Sequence, residues 1–272
     1  MATGSNIRTF FEGSWYSEDK YVMRAADHGS WLGTSVFDGA RYIDGVAPDL
    51  KAHCDRVNNS AEAMMITPTV SSEKMVEIIM DGINKFKSNQ AVYIRPMYWA
   101  IEGGDLAIVP KKGLTGFAIC LEDIPMADSN LAATLTTTSF RRPVLEDNVV
   151  NAKAGCLYPN NARMLAEARD KGFSNALVAD IMGNVAETAT ANIFIVKDGE
   201  IFTPIPNGTF LAGITRNRHI SNLTADGYKV HEKVISFKDV DNADEVFMSG
   251  NMMKVTPVKA FNSTNYQIGP IT

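Results

Sequence analysis

Lys153 lies in the run Asn151-Ala152-Lys153-Ala154-Gly155, and Glu187 follows in Gly183-Asn184-Val185-Ala186-Glu187-Thr188. A lysine between small apolar residues has no local carboxylate to keep it charged. Desolvation disfavours the ammonium form, so its amine can act as a nucleophile near neutral pH. Such an amine condenses with an aldehyde. A carboxylate beside an aromatic ring nitrogen keeps that nitrogen protonated, which lets the ring withdraw electrons. Glu187 is a candidate for that carboxylate, and the two side chains are expected at opposite ends of one ring. Taken singly, a lysine among alanines also fits a solvated helix face, and an acid after a turn also fits a water-facing position. The pair gains weight from what surrounds it.

Leu211-Ala212-Gly213-Ile214-Thr215-Arg216 puts a glycine at the mouth of a predicted helix, with a hydroxyl two residues later. The unpaired amides and positive dipole end of a helix N-terminus make an anion site, and the threonine adds a donor. Arg56, in His53-Cys54-Asp55-Arg56, could supply a charge-assisted second clamp. Ser249-Gly250-Asn251-Met252 follows a predicted strand over 245–248 and could aim loop amides into a pocket. Alone, these three also read as an ordinary helix start, a solvated arginine and a turn.

Composition narrows the classes. The 272 residues are 45% hydrophobic, enough for one large or two ordinary domains with a real core. A net charge of −5 without a basic run argues against nucleic-acid and anionic-membrane partners. Cys54, Cys120 and Cys156 are odd in number and widely spaced, so neither a disulfide framework nor a CxxC metal site is supported. The N-terminal residues lack the charged and apolar regions of a signal peptide, and no apolar run approaches spanning length. A cytoplasmic protein acting on small molecules is the expectation.

The elements that would position these groups can be read from pattern. Strands are expected over 7–11, 35–37 and 40–42, and helices from Pro48-Asp49 through Ala61 and after Ser71-Ser72-Glu73. Strands over 91–95 and 116–120 complete a small α/β domain, residues 1–122. Residues 123–131, with Pro125 among small and acidic residues, read as a connector. A larger domain, residues 132–272, is expected to carry Lys153 and the anion-binding loops. There a helix starts near Pro159, turns Leu165 and Ala166 inward and ends at Gly172. A strand over 175–179 turns at Met182-Gly183-Asn184 and returns over 185–196. Asp198-Gly199 turns it into a strand at 200–202. A helix over 214–227 and strands centred on Val230, Val246 and Val255 follow.

In order, Arg56, Lys153, Tyr158, Glu187, Gly213-Ile214-Thr215 and Ser249-Gly250 resemble the signature of the class IV pyridoxal-phosphate aminotransferases, the fold-type IV group. Gly33-Thr34-Ser35-Val36-Phe37-Asp38-Gly39, Tyr93-Ile94-Arg95-Pro96, Ala191-Asn192-Ile193-Phe194 and Ala243-Asp244-Glu245-Val246-Phe247 extend the resemblance over nearly the whole chain. It implies a two-domain α/β (α+β) fold of D-amino-acid and branched-chain aminotransferase type, with pyridoxal 5′-phosphate between the domains of a homodimer. By the same resemblance Lys153 forms the Schiff base and moves the proton, Tyr158 meets the cofactor's phenolic oxygen and Glu187 its pyridine nitrogen. Arg56, Ile214, Thr215 and Asn251 surround the phosphate, while Phe37, Arg41, Tyr93, Arg95 and Met252 shape the substrate side. No metal is implied. The implied reaction moves an amino group from a branched-chain amino acid to a 2-oxo acid such as 2-oxoglutarate, with Arg95 suited to the second carboxylate of glutamate.

Three positions depart from the branched-chain pattern. Leu32 stands where those members tend to have tyrosine, Asn251 stands where threonine is usual, and Thr188-Ala189-Thr190 replaces a glycine-rich run after Glu187. The runs Trp31-Leu32-Gly33 and Val36-Phe37-Asp38-Gly39-Ala40-Arg41 are also similar to R-selective amine transaminases. That activity, D-amino-acid transamination and an aminodeoxychorismate lyase-like reaction stay open. Relatives commonly add a terminal helix after the point where Gly269-Pro270-Ile271-Thr272 ends, so a truncated end also stays open.

Overall fold

The computed structural model describes residues 4–126 and 131–272. They form two compact units, residues 4–126 with Ala152–Cys156, and residues 131–151 with Leu157–Thr272. The connector expected over 123–131 begins at a residue that ends a strand, and its part at 127–130 lies outside the described residues.

The first unit holds β1 (Ser5–Phe11), β2 (Ser14–Tyr16), α1 (His28–Trp31), β3 (Ser35–Phe37), β4 (Ala40–Tyr42), α2 (Leu50–Ala63), α3 (Ser72–Ile83), β5 (Val92–Ala100) and β6 (Thr115–Asp123). Its antiparallel sheet runs β2-β1-β6-β5-β3, with β4 also on β5. β3 and β4 therefore share one partner rather than pairing with each other. The period of two in β5 buries Val92, Ile94 and Pro96 and leaves Tyr93, Arg95 and Met97 half-buried on the other face. α2 buries Leu50, His53, Cys54, Val57 and Ala61, a helical stripe that packs on β3 and β5. α3 starts where Ser71 Oγ accepts from Lys74 N at 3.2 Å, a cap worth about 1 kcal/mol.

The second unit holds β7 (Ala133–Arg141), α4 (Tyr158–Asp170), β8 (Asn175–Ala179), β9 (Val185–Thr188), β10 (Asn192–Lys197), β11 (Glu200–Pro204), α5 (Ile214–Ala225), β12 (Val230–Lys233), α6 (Phe237–Asp241), β13 (Glu245–Gly250), β14 (Lys254–Phe261) and β15 (Thr264–Asn265). The sheet order is β12-β11-β10-β13-β14-β7-β8-β9, with β15 on β14. β11–β12, β14–β7 and β7–β8 are parallel. Leu135, Leu177, Ile193, Ile195, Val258 and Phe261 form the centre of its main core. Asp198 and Gly199, both at positive φ, make the tight turn that the sequence predicts between β10 and β11.

Three local expectations change, and the strand β7 is one the sequence pattern does not announce. β7 lies inside the sheet although its Ala-Thr-Leu-Thr-Thr-Thr-Ser-Phe-Arg run has little apolar alternation to announce it. The strand expected over 185–196 is two strands, because Thr188 closes a turn on Ala191: its N and Oγ1 donate to Ala191 O at 2.9 and 2.8 Å, and its Oγ1 accepts from Ala191 N at 3.0 Å. In α4 the buried residues are Met164 and Ala168, four apart on one face, so Ala166 points to solvent. The segment Ala152–Cys156, expected with the second domain, makes its contacts in the first unit: Phe37 N donates to Lys153 O at 3.1 Å, and Val36 bridges Ala154.

Candidate active site

Lys153 is half-buried between Ala152 and Ala154, both fully buried. Its backbone is held at both polar groups, since Lys153 N donates to Ser60 Oγ of α2 at 3.0 Å while its carbonyl takes the Phe37 amide. Small flanking residues are what permit this close approach. The amine Nζ stands 5.0 Å from the centroid of the Phe37 ring, an apolar wall beside a nucleophile.

Next to Phe37, Asp38 points the other way and is completely buried. Arg56 donates through Nε to Asp38 Oδ2 at 2.6 Å and through Nη2 to Oδ1 at 2.8 Å, and His53 Nδ1 lies 2.6 Å from Oδ1. Burial pushes the Asp38 carboxyl up, but Arg56 and then His53 outweigh it and hold its pKa at about 2. His53 and Arg56 are three apart on α2, so one helix face delivers both. The guanidinium is thereby fixed in orientation.

Opposite residues across a sheet point to the same side, and Phe37 opposes Met97 while Arg41 opposes Tyr93. Phe37, Arg41, Tyr93 and Arg95 therefore share a face. Arg41 is fully buried, donating through Nη2 to Ile124 O at 2.7 Å and to Met126 Sδ at 3.0 Å. Arg95, whose side chain is 30% exposed, is paired through Nη1 with the buried Glu122 at 2.7 Å and lies 5.2 Å from the Tyr93 ring centroid. Glu122 also accepts from the Gly4 amide at 3.0 Å.

In the second unit, Glu187 on β9 keeps 15% of its side chain exposed. Arg142 Nε lies 3.1 Å from its Oε1, with the N–H not aligned on that oxygen, so the contact is an ion pair. Asn192 Nδ2 donates to Oε2 at 3.3 Å and also to Leu211 O at 3.2 Å. Asn192 thus ties Glu187 to the segment that leads into α5. A side chain on Gly213 would come within 2.2 Å of Asn192 Oδ1, so only glycine allows this bridge.

Gly213 is the N-cap of α5, whose first residues are Ile214 and the buried Thr215. Arg216 anchors the first turn by donating to Pro204 O at 2.8 Å and pairing with Glu232 at 2.6 Å. Farther along, His219 Nδ1 and Ser249 Oγ lie 2.9 Å apart, joining α5 to the end of β13. Burial pushes the His219 pKa down, and Lys254 adds to the effect. Beyond Ser249, Asn251 Oδ1 accepts from Lys254 Nζ at 2.7 Å, whereas Asn251 Nδ2 is buried with no hydrogen-bond partner among the described residues. A buried unsatisfied donor costs roughly 1–3 kcal/mol unless something accepts from it. Such a donor suits a ligand anion, and the α5 amides are a second anion-binding group of this unit. Tyr158, at the start of α4, and Met252 are both exposed.

A family model, amino-transferase class IV, matches residues 35–261, well over half of the chain. The chain belongs to the class IV aminotransferases. It is 30% identical to a branched-chain-amino-acid aminotransferase of Escherichia coli K12, over 100% of this chain and 91% of that protein. Among solved structures it is similar to an aminotransferase from Brucella abortus bound to PLP, at 51% identity and a TM-score of 0.96, covering 97% of this chain and 94% of that one. It is also similar to a branched-chain aminotransferase from the thermophilic archaeon Thermoproteus uzoniensis with norvaline, at 26% identity and a TM-score of 0.87, covering 97% and 90%. The mixed α/β, fold-type IV architecture expected for this aminotransferase is the one these relatives share.

Within this class IV enzyme the first unit brings together Lys153, Phe37, Arg41, Tyr93, Arg95 and Arg56, and the second carries Tyr158, Glu187, Ile214, Thr215, Asn251 and Met252. Five residues escaped the sequence reading as contributors: Asp38, His53, Arg142, Asn192 and His219. The i, i+3 spacing of His53 and Arg56 was a usable signal, with Asp38 as the nearest buried acid. Arg142 carried none, because its partner is remote in sequence. Among the described residues, no helix is long and apolar enough to cross a membrane.

Proposed function

We propose that this enzyme is a pyridoxal-phosphate-dependent transaminase that moves the amino group of a branched-chain amino acid to a 2-oxo acid. The observation that carries the reading is the Asn192 bridge. In one unit it fixes a carboxylate suited to a ring nitrogen and an anion-binding helix start relative to each other, which is what a phosphate-bearing pyridine needs. Bound there, pyridoxal phosphate supplies an aldehyde for amine exchange and a protonated ring that takes up electrons.

Lys153 Nζ is the proposed nucleophile toward the aldehyde, and it carries a proton to and from the substrate α-carbon, acting as base and acid by turns. Phe37 keeps water from one side of that amine. Glu187 would accept a hydrogen bond from the protonated ring nitrogen, and Tyr158 would donate to the phenolic oxygen. Arg56, already oriented by Asp38, supplies positive charge to the phosphate, and the Ile214 and Thr215 amides, the Thr215 hydroxyl and Asn251 Nδ2 supply donors. Arg95 is proposed to receive the second carboxylate of glutamate or 2-oxoglutarate, with Tyr93, Arg41 and Met252 shaping the pocket. A cytoplasmic homodimer is the proposed form.

One observation favours a second reading, donors that lack an α-carboxylate. Arg95 is paired with Glu122, and Arg41 is engaged by Ile124 O and Met126 Sδ, so both arginines of that face have other partners. A donor panel separates the two. L-Leucine, L-isoleucine and L-valine should each convert the holoenzyme to its pyridoxamine spectrum, and 2-oxoglutarate should reverse it. Conversion by an (R)-amine but by none of the three amino acids would replace the first reading with the second. Glu187→Gln should lower turnover more than cofactor retention.

A further inference from the structure

Arg142 follows β7 directly, is buried, and has each of its nitrogens in a distinct environment. Nη1 donates to Asn161 Oδ1 of α4, Nη2 donates to Thr188 O at 3.0 Å and Ala189 O at 3.2 Å, and Nε lies 3.1 Å from Glu187 Oε1. Neutral acceptors hold the guanidinium in place, and Glu187 is its acidic partner among the described ion pairs. Asn192 grips the other oxygen of that carboxylate.

We propose that Arg142 is a positioning residue that keeps Glu187 ionised, so that a proton shared between this carboxylate and a pyridine nitrogen rests on the nitrogen. The inference rests on the assignment of Glu187 to the ring nitrogen. A carboxylate facing a pyridine in a partly buried place has two arrangements, an ion pair with the proton on nitrogen and a neutral pair with the proton on oxygen. Burial favours the neutral pair, because it charges neither partner. A fixed cation decides between them by distance. The guanidinium lies against the carboxylate, whereas anything that carboxylate grips lies farther off. Its charge therefore lowers the energy of the anion more than it raises that of the protonated ring. Three neutral acceptors alone would be satisfied by neutral donors; the charge acts on Glu187.

The test reads the ring-nitrogen chemical shift of the holoenzyme reconstituted with ¹⁵N-labelled pyridoxal phosphate. Arg142→Gln removes the charge. Asn161→Asp leaves the arginine in place but offers it a second carboxylate, which offsets its charge without opening a cavity. Arg142→Lys restores a cation. The wild type and Arg142→Lys should show the protonated-ring shift, while Arg142→Gln and Asn161→Asp should move toward the neutral-pyridine value, the latter by less. If Arg142→Gln does not fold, Asn161→Asp carries the comparison. An unchanged shift in folded Asn161→Asp or Arg142→Gln, beside a moved shift in Glu187→Gln, overturns the role of Arg142 alone. An unchanged shift in Glu187→Gln overturns the assignment beneath it as well.

Discussion

Each unit pairs an acid with an arginine, and the two pairs differ in which partner is on offer to a ligand. In the first unit Asp38 is sealed off and serves Arg56, holding the guanidinium by two hydrogen bonds with His53 completing its shell. In the second, the contrast is weaker: Arg142 is 10% exposed and turned to Asn161, Thr188 and Ala189, while Glu187 keeps 15% of its side chain exposed. Burying one member of an ion pair and presenting the other fixes the presented group's orientation without the entropy cost of arranging it when ligand arrives. An arginine presented this way suits a phosphate, and a carboxylate suits a protonated ring.

The largest effect is expected at the amine. Lys153→Ala should fold, because only the side chain beyond the backbone contacts is lost, yet transamination should fall by at least about 10²–10⁴-fold, the usual worth of a positioned acid–base group. Single-turnover conversion at the wild-type rate would remove Lys153 from the chemistry. Asp38→Ala comes next, since it leaves Arg56 and His53 without their carboxylate. Urea unfolding should show a loss of about 3–5 kcal/mol, and a stability equal to the wild type would end the claim that Asp38 is the structural member of its pair.

The same pair has a pH signature. The folded pKa of Asp38, about 2, lies below its ordinary 3.8, so its contribution to stability is present above about 4 and fades as pH falls toward 2. It amounts to about 2 kcal/mol by linkage. A difference in acid unfolding between the wild type and Asp38→Asn over that window is expected; parallel curves would contradict it. Arg95→Ala should raise KM for 2-oxoglutarate by roughly 10–100-fold over pyruvate, as expected for one charge-assisted contact. Equal losses would show that Glu122, not a ligand, is its partner in function. The smallest effect belongs to Ser249→Ala, which should cost about 1 kcal/mol by releasing α5 from β13 at His219. Thermal unfolding of the variant measures it.

The elements with strong periodicity or punctuation were legible in the chain. α2, α3, β8, the Asp198-Gly199 hairpin and α5 follow from apolar spacing, Ser71 and paired turn residues, all of which act over a few positions. β7 was not legible, since a threonine-rich run gains its strand character from neighbours on both sides, β14 and β8. The break between β9 and β10 was missed for a related reason: one threonine hydroxyl competes with the ladder, and nothing in the alternation of apolar residues records it.

Sequence alone determined the chemical inventory, the amine at Lys153, the acid at Glu187 and the glycine at the head of α5, because residue type and local spacing specify what a group can do. Tertiary structure decided which partners those groups have. That Lys153 belongs with Phe37 and Ser60, that Glu187 answers to Arg142, and that Arg95 is met by Glu122 are long-range pairings. Charge and burial act through space, so their effects on these groups are set where the chain returns to itself.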